Sequence, residues 1–152
     1  MVKTIVRIAL AVAAGAVVWG VSWNLGTHGL QRIFPELLRP GLPVSHAGVL
    51  WGLIAYSVAL SAVAGCVTAL VATPERRRTA VALLAAIQLA LGIAAELSYW
   101  ELMPTWYHLV FLALVAPVTL WGGSILGSSM PIRPTSVGTR SGWAAPAEES
   151  RP

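Results

Sequence analysis

The stretch 79–100, TAVALLAAIQLALGIAAELSYW, constrains this chain more than any other. As a helix at about 1.5 Å per residue it reaches about 33 Å, enough to cross a hydrocarbon core of about 30 Å. Arg76, Arg77 and Arg78 stand immediately before it, and Tyr99 and Trp100 close its far end. An apolar run with a basic anchor on one side and an aromatic anchor on the other reads as a membrane helix. Composition extends the reading to the whole chain, because 57% hydrophobic and 11% charged residues over 152 positions do not fit an ordinary soluble domain. The net charge of +4 does not point to nucleic acid, since the basic residues cluster beside apolar spans instead of forming one contiguous face. The single cysteine, Cys66, excludes an internal disulfide and any paired-thiol redox motif.

Three further spans are expected at 5–25, 49–73 and 106–126. The first competes with a secretory signal peptide, having Lys3 before it and small residues at Ala14, Gly15 and Ala16. The apolar run continues past them through Val17 and Val18 to Trp19 and Trp23, so a retained helix is expected. Between the first two spans, Leu30, Ile33, Phe34, Leu37 and Leu38 follow the i, i+3, i+4, i+7, i+8 pattern of a short amphipathic segment lying on the membrane surface. Pro35 starts or kinks that segment, and Pro40, Gly41 and Pro43 end it. In the fourth span Pro117 removes a backbone donor and predicts a bend near Ala113. From 128 to 152 the chain turns to Ser, Pro, Gly, Thr and charged residues and reads as a disordered cytoplasmic tail. The fold class expected is therefore all-α: a transmembrane four-helix bundle over 1–127.

Small residues recur every four positions in two spans. Ser57, Ser61, Gly65 and Ala69 form one ladder, and Ala82, Ala86, Ala90, Ala94 and Ser98 form another. The turn 74–78 is short enough to make the two spans an antiparallel hairpin, so the ladders are expected to pack on each other. Gln88 and Glu96 lie well over 90° from the alanine ladder on the helical wheel, and because a polar face turned to lipid is costly, the third helix is expected to be covered by protein on both sides.

With four crossings, both termini share a side with the 75–78 turn. That side carries Lys3, Arg7, Arg76, Arg77, Arg78, Arg133, Arg140 and Arg151, eight of ten basic residues, against Arg32 and Arg39 opposite. The positive-inside rule makes the termini cytoplasmic and Arg76 to Arg78 the topology anchor.

The opposite end gathers Asn24, His28, His46, Glu96 and His108. Glu96 and His108 flank a tight turn at similar depth, so a hydrogen-bonded pair is expected that could relay a proton or, with His28 or His46, hold a metal. The alternative is that Glu96 reaches for the interface and His108 only packs. Gln88 lies near mid-membrane, where an interhelical hydrogen bond to Ser57 or Ser61 is favoured over a transport role. No nucleotide loop, nucleophile motif, zinc-protease helix or cofactor motif is found, so an enzyme is the less favoured class. Small multidrug exporters share the length and helix count but rely on a glutamate in the first helix, and the first span here has none.

Pro104-Thr105-Trp106-Tyr107-His108, running into an apolar helix that finishes Trp121-Gly122-Gly123, resembles small four-helix membrane proteins of bacteria, as does Ser61 to Gly65 followed by Thr68-Ala69. The resemblance covers the last three spans, implies a bacterial inner membrane, and brings no activity or site with it. The leading expectation is a non-catalytic bundle whose partners are the bilayer and a second copy or a larger membrane complex. A proton-coupled or ion-conducting carrier and a metal-binding protein are the two alternatives.

Overall fold

The computed structural model describes residues 2–128, with side chains through 125. It holds four long helices: α1 (Val2–Ile33), α2 (Ala47–Val71), α3 (Arg77–Ser98) and α4 (Thr105–Ser128). Each is long and apolar enough to cross a membrane. Beyond Ser128, the tail expected to be disordered lies outside the described residues.

Helix α1 differs from expectation. Its 32 residues continue through Asn24, Gly26 and His28, where a surface connection was expected. At about 48 Å the helix is longer than a bilayer core. It stops where Pro35 disfavours helical backbone at Phe34, so the proline ends this helix and does not begin another. A single turn follows, with the Leu38 amide donating to the Phe34 carbonyl at 3.1 Å. Of the proposed amphipathic stripe, Leu30 and Leu38 pack toward the core around Val44, Leu50, Leu53, Ile54 and Tyr107, whereas Ile33, Phe34 and Leu37 are exposed. The Val44 amide donates to the Leu102 carbonyl at 2.8 Å, pinning this connection onto the turn between α3 and α4.

The helices do not pair by their ladders. The most extensive contact joins α2 to α4, followed by α1 with α2 and α3 with α4. Gly65 lies so close to α4 that a Cβ would fall on the Thr119 carbonyl, and a Cβ on Gly122 would strike the Ala62 carbonyl. Ser57, Ser61, Gly65 and Ala69 are buried as expected, but they are not covered by an alanine ladder. Ala82, Ala86, Ala90, Ala94 and Ser98 all face outward, and the buried face of α3 is Ala80, Val81, Leu84, Ala85, Gln88, Gly92 and Glu96. The physical reason is a difference in what lipid exposure costs each face. Alanine loses little in hydrocarbon, whereas an amide and a carboxylate lose several kcal/mol, so the polar stripe decides which way the helix turns.

Contacts at the basic end account for the exposed carbonyls that close α2. Helix α2 has no basic residue in its own last turn. Arg77 Nε of α3 donates to the Ala69 carbonyl at 3.0 Å, and Arg7 Nε of α1 donates to the Val71 carbonyl at 3.3 Å. Cations from two neighbouring helices thus satisfy acceptors that a helix C-terminus leaves open. Arg76 and Arg78 are exposed. Helix α4 runs unbroken through Pro117, whose ring faces outward.

Candidate functional site

Glu96 ends the buried stripe of α3 two residues before the helix stops, and His108 lies on the first turn of α4. The intervening 3-10 turn, Trp100–Leu102, is short enough to bring them together. Glu96 Oε2 and His108 Nδ1 are in direct contact, with the histidine fully buried and the glutamate 7% exposed. His108 Nε2 donates to the Met103 carbonyl at 3.2 Å. A carbonyl can only accept, so that nitrogen carries a proton, and one further proton is shared between Nδ1 and the carboxylate. The pair is therefore net neutral whichever side holds it. Trp100 stacks on the imidazole with centroids 4.6 Å apart and planes 14° from parallel, and Tyr107 meets it edge-on at 5.8 Å.

This chemistry favours a clamp over a relay. A relaying imidazole passes a proton in at one nitrogen and out at the other, but here Nε2 is tied to a backbone carbonyl and the ring is fully buried. The pair fastens the end of α3 to the start of α4.

The rest of the expected outer cluster is not brought to it. Asn24, His28 and His46 are exposed. Asn24 Nδ2 donates to the Gly20 carbonyl of its own helix at 2.8 Å. Among the described residues no three His, Cys, Asp or Glu side chains could hold a metal, so the expectation that His28 or His46 completes a site with the pair is corrected. The continuation of α1 to Ile33 puts His28 on a helical face exposed to the surroundings, where a flexible loop would have let it reach inward.

Gln88 lies at the middle of α3 and is 1% exposed. Its partner is Thr119 of α4, not Ser57 or Ser61: Thr119 Oγ1 lies 2.6 Å from Gln88 Oε1 and 2.8 Å from the Val115 carbonyl. Ser61 is fully buried without reaching Gln88, while Thr119 turns toward α3. Gln88 Nε2, Ser61 Oγ, Thr68 Oγ1 and Trp19 Nε1 are buried without a partner. Three of these share one depth. Tyr56 OH donates to the Ser22 carbonyl at 2.5 Å and Thr68 meets Gly15, so the α1–α2 register between those points sets Ser61 and Trp19 at one depth. Ala62 against Gly122 and Gly65 against Thr119 then bring Gln88 to the same level. Thr119 could have been found by tracing the three-and-four spacing from His108 through Phe111 and Val115. The covering role of Trp100 depends on the 3-10 turn and has no sequence signal.

The fold and these contacts define the class: an all-α, four-helix membrane protein with its ionisable pair closed inside the bundle. Comparison with known protein families, with curated proteins and with solved structures finds no match.

Proposed function

We propose that this is a non-catalytic, multi-pass protein of the bacterial inner membrane, with cytoplasmic termini, that associates with itself or with a larger membrane complex through the outer face of α3. The observation that carries this reading is the outward ladder of Ala82, Ala86, Ala90, Ala94 and Ser98. Small side chains at four-residue spacing let a second helix approach closely in lipid, where packing and not hydrophobic burial drives association. The closed state of the Glu96–His108 pair and the excess of basic residues on the Arg76 to Arg78 side support the reading and the orientation. The likeness to small bacterial four-helix membrane proteins belongs to the same proposal. In native membranes, Ala86→Cys and Ala90→Cys should cross-link to a second copy or a fixed partner, while Ile87→Cys should not. Cross-linking no better at 86 and 90 than at 87 defeats the proposal.

A second reading, a proton-coupled or ion-conducting carrier, draws on the mid-bundle layer of Gln88 Nε2, Ser61 Oγ and Trp19 Nε1, three buried atoms without hydrogen-bond partners. The variant Gln88→Leu separates the two. Thr119 keeps its bond to the Val115 carbonyl and an unmatched amide is removed, so the bundle reading expects stability within about 1 kcal/mol of the parent and unchanged behaviour. The carrier reading requires proteoliposome flux in the parent that the variant abolishes.

A further inference from the structure

A cleft of about 550 Å³ opens between the start of α1 and the end of α2, at the basic end of the bundle. Its apolar walls are Val6 and Leu10 from α1 and Leu70 and Val71 from α2, and Lys3 and Arg7 line it with them. These groups are ordered along the cleft. Lys3 and Arg7 are four residues apart and share one face of α1, so two cations sit together near the helix end while the apolar positions continue inward. Arg7 is held in place by its Nε donation to the Val71 carbonyl, and with Lys3 it outnumbers the one carboxylate among the described residues that acts on it, Glu75. Val6, Leu10 and Leu70 are half or more exposed, so the apolar part of the cleft is open to acyl chains at the depth where headgroups meet hydrocarbon.

We infer that this cleft binds one anionic phospholipid, its phosphate held by Lys3 and Arg7 and one acyl chain lying along Val6, Leu10 and Leu70. Charge complementarity selects the occupant. A neutral zwitterionic lipid brings its own cation to the two already present, whereas a headgroup of net negative charge offsets part of their charge, and each basic residue near a membrane surface is worth about fivefold in affinity for such lipid. A free soluble anion would use the cations and leave the apolar walls idle.

The test uses the full chain purified in neutral detergent and native mass spectrometry with phosphatidylglycerol or phosphatidylcholine of matched acyl chains. One phosphatidylglycerol should be retained per chain in preference to phosphatidylcholine. Lys3→Gln, which leaves the Arg7 cap on α2 intact, should lower retention about fivefold. Val6→Trp, which fills the apolar half without altering charge, should also lower it. Arg78→Gln removes an equal charge outside the cleft and should leave retention unchanged. Equal retention of the two lipids, equal loss in the Lys3 and Arg78 variants, or full retention in the Val6 variant would each overturn the inference.

Discussion

Replacing His108 with alanine is expected to destabilise the folded protein by about 3–5 kcal/mol, read as a lowered midpoint of detergent-induced unfolding. The loss comes from what remains, not from what is removed. Glu96 would keep its buried position at the end of α3 with no cation and no donor, and the Met103 carbonyl would lose its partner as well. The double variant Glu96→Met with His108→Leu should recover most of the loss, because two apolar side chains of similar volume ask nothing of a buried site. The order single variant worst, double variant intermediate, parent best or equal to the double is what a clamp requires. A double variant as unstable as His108→Ala would show that the pair's contribution lies elsewhere.

The second large effect concerns backbone approach. Gly65→Ala adds one methyl group where the Thr119 carbonyl already stands, with the Gly123 amide nitrogen the next obstacle at 3.0 Å. Both obstacles are backbone and cannot turn aside, so α2 and α4 must separate, at a cost of about 1–3 kcal/mol. Gly52→Ala is the matched control in the same helix, since nothing lies within 4 Å of its added Cβ. Helix propensity then acts alone, and that variant should be more stable by about 0.5–1 kcal/mol. Thermal unfolding of both variants in one detergent gives the comparison, with opposite signs expected.

Four helices, their order and the common depth of Glu96 and His108 were legible because each depends on local information: apolar length, tight turns and counting along a helix. For α3 the sequence asks for cover on two faces, that of the alanine ladder and that of Gln88 and Glu96, and the fold covers only the second. The energetics of lipid exposure decide between them, and the burial of Gln88 and Glu96 against the exposure of Ala86 and Ala90 follows. The partner of α2 was hidden for another reason. Chain adjacency suggested α3, but the glycines at 65 and 122 permit a closer approach of α4, and that complementarity is a property of two surfaces that no single segment displays. The extension of α1 past Gly26 was missed because glycine and polar residues in sequence look like a loop, yet none of them breaks a helix as Pro35 does.

The central claim is that α3 lies in the membrane and turns its Gln88, Gly92 and Glu96 face toward α4. Cysteine pairs introduced with Cys66 replaced by alanine test it in membranes washed with alkaline carbonate. Gly92 lies against Phe111, so the pair Gly92→Cys with Phe111→Cys should cross-link readily in the washed pellet, and Ala90→Cys with Phe111→Cys should not. Release of the protein by carbonate, or cross-linking through position 90 in place of 92, would contradict the account.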